Sequence, residues 1–387
     1  MSTDRSSQYD VAVVGGGPIG LAVGWRAAQR GLGVVVLDAG APGAGVVAAG
    51  MLAPVSEAEH GQDALLALGL ASARRYPGWI EELRAASGAD PGYRTTGTLL
   101  VARDRDDAEQ LERALLLRRE LGLPVMRLRA SEARRLEPAL APHVRLALHA
   151  PGDHAVDPRA LAAALAAALV AAGGELRREA RVTGVLTGAG AVHGVELQDG
   201  SRVMAEQVVI AAGAWSGLLD GLPKHARLPV RPVKGQVLRL RDPEGPGLAE
   251  RVIRLPGSYL VPRGDGRYVL GATVEERGWD DHPTAGAVHE LLRDMGEAVP
   301  GVLELRLEEV GAGLRPGTPD NAPAIGPGAL EGLLWATGHH RNGILLAPVT
   351  ADLVAGLLTG EALPAEAAPF APARFAAATP ATVGAGR

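Results

Sequence analysis

The sequence predicts an α/β fold of two domains, one with a largely parallel sheet and one, of α+β type, with an antiparallel sheet. Apolar runs at Tyr9–Val14 and Val34–Leu37 flank a helical stretch and form a β-α-β unit. Short strands broken by turns fill residues 175–209 and return over residues 228–274. A chain of 387 residues is long enough for two domains of ordinary size.

Strands suited to the parallel sheet lie at both ends and in the middle of the chain, so we expect the other domain to be inserted in pieces. The first domain is predicted to take residues 1–75, 145–222 and 310–365. The second takes residues 76–144 and 223–309. Residues 366–387 are rich in Ala and Pro and are predicted to form a loose tail.

Composition and charge exclude several classes of partner. The net charge is -5 and no long basic run occurs, so no nucleic-acid partner is expected. The absence of cysteine excludes disulfides and cysteine-ligated metals, and it fits a cytoplasmic location. Of the two most apolar stretches, one is too short to span a bilayer and the other contains Pro348 and Asp352, so no membrane association is expected.

The first strand is followed by a glycine motif typical of dinucleotide binding, with Gly15, Gly17 and Gly20 spaced as G-x-G-x-x-G. Gly15 permits the tight turn, Gly17 lets a pyrophosphate approach the backbone, and Gly20 lets the helix pack on the strand. Asp38 ends the second strand, where a carboxylate binds ribose hydroxyls and disfavours a 2′-phosphate. The motif predicts a Rossmann-like domain but does not separate NAD from FAD.

Four further segments, spread in order over nearly the whole chain, carry a resemblance. They are residues 48–54 (AAGMLAP), 211–216 (AAGAWS), 313–320 (GLRPGTPD) and 338–348 (GHHRNGILLAP). Together with the glycine motif they resemble the glycine oxidase and D-amino acid oxidase superfamily of flavoproteins. Within it, the similarity is greatest to the glycine oxidases of thiamine biosynthesis. The first domain is therefore identified as FAD-binding and the second as the substrate domain.

The resemblance implies non-covalently bound FAD, a homotetramer, and oxidation of glycine by oxygen to an imine and hydrogen peroxide, the imine feeding thiazole formation. It also implies hydride transfer from the substrate Cα to the flavin. The cofactor-binding residues that it and the glycine motif imply are Gly15, Gly17, Pro18, Ile19, Gly20, Asp38, Ala39, Gly45, Ala49, Gly50, Met51, Val182, Gly213, His339, His340, Arg341, Asn342, Gly343, Ile344 and Leu345.

Three side chains are candidates for substrate contact. Arg315 can hold a carboxylate through two parallel charge-assisted hydrogen bonds, although an arginine in a surface ion pair is the alternative. The Tyr259 hydroxyl can bond the same carboxylate, unless the ring is simply packed in its strand. Arg341 is assigned to substrate or flavin, with capping of the last helix as the alternative.

Neither a metal site nor a further side-chain catalyst is expected. Asp153, His154 and Asp157 lie close together in sequence, but Asp157 followed by proline is typical of a helix N-cap. His339 and His340 are expected to lie along the flavin rather than to act as catalysts.

Two departures from the family pattern bear on specificity. Relatives often have Ser or Thr where this chain has Gly45-Val46-Val47, so phosphate contacts there are expected from the backbone. Gly257 and Val274 stand where relatives carry bulkier residues, which predicts a roomier pocket. The alternatives left open are a D-amino acid or sarcosine oxidase, a dehydrogenase with another electron acceptor, and a flavin-binding partner protein without turnover.

Overall fold

The computed structural model describes residues 9–376, which form two large sheets with helices packed between and around them. The strands are β1 (Tyr9–Val14), β2 (Val34–Leu37), β3 (Met51–Leu52), β4 (Thr98–Ala102), β5 (Met126–Arg129), β6 (Leu146–Ala150), β7 (His154–Ala155), β8 (Glu175–Arg177), β9 (Val182–Gly188), β10 (Ala191–Leu197), β11 (Arg202–Ile210), β12 (Arg231–Arg241), β13 (Val252–Leu255), β14 (Ser258–Pro262), β15 (Arg267–Gly271), β16 (Arg306–Gly317), β17 (Ala324–Pro327) and β18 (Leu333–Thr337).

The helices connect these strands and cover both sheets. The α-helices are α1 (Pro18–Gln29), α2 (Ala44–Val47), α3 (Asp63–Ser87), α4 (Arg105–Glu120), α5 (Ala130–Leu136), α6 (Pro158–Ala171), α7 (Ala285–Ala298) and α8 (Gly343–Leu358), and five 3₁₀ helices lie at Gly213–Leu218, Lys224–Ala226, Pro300–Glu304, Ala365–Phe370 and Pro372–Phe375. Over residues 9–376, no helix combines the length and apolar character needed to cross a bilayer.

The first sheet has the order β17-β18-β11-β1-β2-β8, with the β9–β10 hairpin attached to β11. Strands β18, β11, β1, β2 and β8 run parallel, and β17 is antiparallel to β18. The parallel strands are almost continuously apolar because helices α1, α6 and α8 bury one face of this sheet. The α/β class with a parallel Rossmann-like sheet is thus confirmed.

The second sheet has the order β16-β12-β15-β14-β13-β4-β6-β5 and is antiparallel except where β13 meets β4. Side chains along its strands alternate between two environments, with one register shift where Arg239 and Leu240 of β12 pair with β16. On one face, Leu238 and Leu270 pack against Leu291 and other residues of helix α7. The opposite face carries Val237 and its neighbours toward the first sheet.

Sheet membership differs from the predicted domain boundaries at two places. Strand β6 pairs with β4 and β5, so the second sheet extends past residue 145. Strand β16 pairs with β12 through Gly317, so a boundary at residue 310 would cut this strand. Short apolar strands are compatible with either sheet, and only hydrogen-bond pairing separates them. The other boundaries remain predictions.

The predicted loose tail is wrong for residues 366–376. They form parts of two 3₁₀ helices, and the Phe370 side chain is 2% exposed within the core around α8. Arg374 forms an ion pair with Asp320 and adds a polar attachment. The buried Phe370 thus helps to anchor a segment whose composition is typical of a disordered tail. Residues 1–8 and 377–387 lie outside the described range.

Helix α8 contains a proline, and helix α3 satisfies the backbone group that this proline leaves without a donor. Pro348 has no N–H to offer the carbonyl of Ile344, four residues earlier. The buried hydroxyl of Tyr76 donates a hydrogen bond to that carbonyl, and Ser72 donates to Leu345 at 2.6 Å. These bonds fix the first turn of α8 against α3.

Replacing Tyr76 by phenylalanine is expected to lower the free energy of unfolding by about 1–3 kcal/mol, because it leaves the buried carbonyl of Ile344 unsatisfied. Urea denaturation measures the difference. The matched control is Tyr93→Phe: this ring stacks on Tyr76, but among the described residues its buried hydroxyl has no hydrogen-bond partner. Equal losses in both variants would contradict the assignment.

Candidate active site

A cleft with a volume of about 490 Å³ lies between the first sheet and the inner face of the second. It runs from the carboxyl end of β1 and the start of α1 to the strands β12, β14 and β16. Every residue predicted for cofactor or substrate contact lines this cleft, with the exception of Gly20. The carboxyl ends of parallel strands are the usual ligand site of such sheets.

The three glycines at the start of α1 have different surroundings. Gly15 has a φ of +113°, and a Cβ there would lie 2.4 Å from the carbonyl oxygen of Ala211. A Cβ on Gly20 would lie 1.9 Å from the Gly15 oxygen, so Gly20 serves the packing of helix on strand. A Cβ on Gly17 would meet no atom within 4 Å. Only Gly17 therefore borders open space that a bound group can fill.

The start of α1 is suited to an anion. Gly17 is its N-cap and supplies no side-chain acceptor, so the first N–H groups of this 12-residue helix have no capping side chain. Asp38 lies beside the motif at the end of β2, where its carboxylate accepts a hydrogen bond from the N–H of Gly40 at 3.1 Å. The arrangement fits a diphosphate at the helix and a ribose at Asp38, as a bound dinucleotide requires.

The segment that follows β2 forms the short helix α2 and then passes along the cleft. A Cβ on Gly45 would lie 2.6 Å from Cδ of Pro18, so this glycine permits α2 to pack against the start of α1. Arg159 and Arg239 both donate hydrogen bonds to the carbonyl of Val46. That phosphate contacts here come from the backbone remains a prediction. The two arginines hold this backbone segment in place.

Arg263 is a buried residue that sequence reasoning missed. Its guanidinium donates to the carbonyl of Ala49 at 2.8 Å and to that of Val156 at 3.0 Å. Burial lowers its pKa to about 10, so the group stays charged. It ties the segment around Ala49 to the second sheet, and no local motif identifies it.

Arg315 projects from β16 into the far end of the cleft. One of its nitrogens donates to the carbonyls of Lys234, at 3.2 Å, and Thr273, at 3.0 Å. A Cβ on Gly235 would lie 2.3 Å from three guanidinium atoms, so the plane of the arginine rests on a glycine. Within residues 9–376 Arg315 forms no ion pair, in contrast to the surface ion pair considered from the sequence, and its remaining donors face Tyr259 and the cleft.

Tyr259 lies beside Arg315 on the same face of the sheet. Its ring covers Gly271, where a Cβ would lie 3.0 Å from the tyrosine hydroxyl. Burial raises the pKa of Tyr259, which outweighs the opposing effect of Arg315, so the hydroxyl keeps its proton. Tyr259 and Arg315 together present a hydroxyl and a guanidinium to one point of the cleft.

Arg341 contacts a carboxylate that sequence reasoning missed. Its Nη2 donates to Oε1 of Glu57 at 2.9 Å, and Nη1 of Arg254 lies 3.0 Å from the same oxygen. Burial acts to raise the pKa of Glu57, but Arg254 and Arg341 together hold it below its ordinary value. Glu57 is therefore ionised and shared between two arginines.

The position of Arg254 was accessible from the sequence. Pro256-Gly257 is a two-residue turn, and it pairs β13 with β14 so that Arg254 stands directly opposite Tyr259. Residues opposite each other in an antiparallel pair share a face of the sheet. Once Tyr259 is placed in the cleft, Arg254 must therefore project there too. Glu57 offered no such signal, because it lies in an irregular turn.

The loop before α8 lines the cleft with His339, His340 and the first turn of the helix. Nε2 of His339 lies 3.0 Å from the Thr350 hydroxyl, and burial lowers its pKa to about 3. Burial, helped by Arg315 and Arg341, lowers the pKa of His340 to about 4. Both rings are neutral near pH 7, so neither adds charge or acts as a general acid.

The buried His339 makes stability depend on pH. Unfolded histidine takes up a proton near pH 6.5, whereas folded His339 resists it down to about pH 3, so stability is lost as the pH falls through this window. Between pH 7 and pH 5, we expect the free energy of unfolding to fall by about 2 kcal/mol more in the parent than in His339→Gln. Urea denaturation at both pH values measures this.

The control for this prediction is His60→Gln, which alters an exposed histidine outside the cleft. It should leave the pH dependence of the parent unchanged. Parallel pH profiles for the parent and His339→Gln would contradict the prediction.

The sequence neighbours Asp153 and Asp157 accept hydrogen bonds from backbone N–H groups. Asp153 accepts hydrogen bonds from the N–H groups of Val55 and Ser56, and Asp157 caps helix α6. Over the described range, no group of three or more His, Asp or Glu side chains is arranged to hold a metal ion. Asp153 thus positions the turn that carries Glu57.

Comparison with known proteins agrees with this geometry. Residues 10–357 match the family model described as DAO, FAD dependent oxidoreductase. The chain is 37% identical over 367 residues to glycine oxidase from Geobacillus kaustophilus, covering 94% of this chain and 96% of that protein. It is 36% identical to the bifunctional protein ThiO/ThiG of Synechocystis sp., covering 96% of this chain and 54% of the relative.

Solved structures are similar over the same extent. The crystal structure of glycine oxidase from G. kaustophilus matches with a TM-score of 0.88 and 36% identity, covering 95% of this chain and 99% of that one. The crystal structure of iminodiacetate oxidase from Chelativorans sp. matches with a TM-score of 0.85 and 30% identity, covering 94% and 98%.

Proposed function

Because the chain belongs to the DAO family of FAD-dependent oxidoreductases, we propose that it oxidises glycine to the imine, with oxygen as acceptor and hydrogen peroxide as second product. The observation that carries this proposal is Arg315, whose free donors and neighbouring Tyr259 form a carboxylate site inside the cleft. The relatives named glycine oxidase and ThiO/ThiG support glycine as substrate and the thiazole branch of thiamine biosynthesis as destination.

The cleft fits the family's cofactor. The start of α1 and Gly17 would hold the diphosphate of FAD, and Asp38 would hold its ribose. Small residues around Ala49 and the backbone at 342–345 line the remaining length of the cleft. Bound FAD supplies the two-electron acceptor that no protein side chain can provide.

The protein's own contribution is to bind and orient the amino acid. The free donors of Arg315 bind the substrate carboxylate, and Tyr259 donates a further hydrogen bond from its protonated hydroxyl. With the carboxylate held at one point, the Cα of a small amino acid has little freedom of orientation. The apolar lining excludes water and strengthens these charge interactions.

No described side chain in the substrate end is poised as a strong base. Glu57 is the carboxylate nearest to Arg341, and the two arginines that lower its pKa also make it a weak base. The amine must therefore lose its proton before the C–H bond breaks. Positioning, rather than proton abstraction by the protein, is the main source of rate enhancement in this proposal.

Assembly and location belong to the same proposal. We infer a homotetramer, as the resemblance implies, and a cytoplasmic location, which the lack of cysteine fits; analytical ultracentrifugation tests the assembly. A dehydrogenase that passes electrons to another acceptor remains the second candidate. Its signature is slow reoxidation of the reduced protein by air.

One anaerobic experiment tests the function. The purified FAD-loaded protein is mixed with glycine, sarcosine, D-alanine and D-proline, and the flavin absorbance is followed. Bleaching by glycine, with peroxide formed on readmission of air, is the expected result. Flavin that none of these amines bleaches would contradict the proposal.

A further inference from the structure

Arg254 is a partly buried cation in the cleft, and its buried Nη1 has no hydrogen-bond partner among the described residues. Its side chain is 19% exposed, and it lies 3.0 Å from Glu57 without forming a well-directed hydrogen bond. Over residues 9–376, its guanidinium makes no hydrogen bond to any other group. Buried donors left in this state are costly unless a ligand satisfies them.

The charges at this end of the cleft do not balance. Three guanidinium groups, those of Arg254, Arg315 and Arg341, face one ionised carboxylate, that of Glu57. The carboxylate of an amino acid cancels one of the two excess positive charges, and a second anion bound in the cleft would cancel the other.

Neighbouring charges outside the cleft do not supply that anion. Arg118 donates to the carbonyls of Val55 and Ser56, while Asp153 accepts from their N–H groups, so this pair compensates itself. Glu59 is exposed and accepts a hydrogen bond from Gln62.

The cleft is open at the turn that joins the strands of Arg254 and Tyr259. Gly257, in the turn that follows β13, has a φ of +87°, and a Cβ there would meet no atom within 4 Å. Arg254 stands opposite Tyr259, so the Cβ atoms of these two residues are about 5 Å apart, as in directly opposed antiparallel pairs. A substrate held at Tyr259 and Arg315 therefore reaches Arg254 with a short substituent.

We propose that the preferred substrates include N-substituted glycines whose substituent ends in a second carboxylate, and that Arg254 recognises this second carboxylate. The inference rests on the proposed amine oxidation and names a substrate class for the same site. One carboxylate binds Arg315 and Tyr259, and the other binds Arg254.

The reaction on such a substrate balances with the same acceptor. The Cα–H bond and the N–H bond break, and two electrons and two protons pass finally to oxygen, giving hydrogen peroxide. The C=N bond formed is then hydrolysed by water. For iminodiacetate the products are glyoxylate and glycine.

Binding is tested with two ethers that cannot form an imine. Diglycolate has the shape and charge of iminodiacetate with its amine neutral, and methoxyacetate has those of N-methylglycine in the same state. Calorimetric titration of the FAD-loaded protein is expected to give diglycolate a Kd at least about tenfold lower, the gain of one hydrogen-bonded ion pair. Equal Kd values for the two ethers would overturn the inference.

Substitutions assign the preference to one side chain. Arg254→Met is expected to abolish the preference for diglycolate, and Arg254→Lys to restore part of it. Arg241→Met is the matched control, because Arg241 lies in the same sheet but pairs with Glu308 on the surface and should keep the full preference. If Arg254→Met weakens both ethers equally, Arg254 only supports Glu57 and the inference fails.

The proposed amine oxidation and the proposed substrate class can fail separately. If glycine bleaches the flavin and diglycolate shows no preference, only the substrate class is wrong. If diglycolate is preferred but no amine, iminodiacetate included, bleaches the flavin, the proposed oxidation itself is wrong.

Discussion

Replacing Arg315 by leucine is expected to lower kcat/KM for glycine by about two to three orders of magnitude, or about 3–4 kcal/mol. The substitution removes the donors that face the substrate carboxylate and leaves that charge unpaired in a buried site. Steady-state peroxide assays measure the change. Flavin absorbance should show that the variant still binds FAD, because Arg315 lies at the end of the cleft remote from the start of α1.

Gly235→Ala tests the position of Arg315 without removing the charge of Arg315. The added Cβ would lie 2.3 Å from three guanidinium atoms, so Arg315 must move away from its position on the glycine. We expect kcat/KM of Gly235→Ala to fall by most of the factor seen in Arg315→Leu, and this fall to appear as a raised KM. Gly286→Ala is the control, since its Cβ meets no atom within 4 Å. A Gly235→Ala variant with parental kinetics would show that the position of Arg315 is unimportant.

Substitution of Gly17 and of Gly20 should separate cofactor binding from folding. Gly17→Val places its side chain in open space, so the apoprotein should unfold at nearly the parental urea concentration while the Kd for FAD rises about a hundredfold or more. Gly20→Ala places a Cβ 1.9 Å from the backbone oxygen of Gly15 and should destabilise the apoprotein by about 3 kcal/mol.

Two measurements on the apoproteins decide this comparison, urea denaturation and FAD titration by fluorescence quenching. Equal destabilisation by both substitutions would mean that Gly17 also serves packing. An unchanged FAD affinity in Gly17→Val would exclude a diphosphate at the start of α1.

The sequence predicted the helix α1 and the strands β1 and β2 because their signals are local. Gly15 and Gly20 stand where a Cβ would clash with backbone, Gly17 leaves space for a bound group, and apolar runs identify buried strands without reference to the rest of the chain. Arg315 was also accessible, through the resemblance of its segment to a known family. All of the predicted site residues except Gly20 line one cleft.

The misplaced features depend on contacts between distant segments. Strand β6 and the end of β16 joined the second sheet because of their hydrogen-bond partners, which composition does not indicate. The segment with Phe370 is ordered because its ring fills a gap in a distant core. Its low-complexity composition predicted the opposite.

From the amino-acid sequence alone come the predictions of a Rossmann-like nucleotide site, a second domain built on an antiparallel sheet, and an arginine suited to a carboxylate. Only the tertiary structure brought Glu57, Arg254 and Arg341 to one point, from a turn, a hairpin strand and a loop far apart in the chain. The physical reason is that periodicity and turn chemistry act within a few residues, whereas the charge balance of a cleft is a sum over side chains from distant segments. The proposal that the predicted carboxylate site takes a second anion rests on that sum.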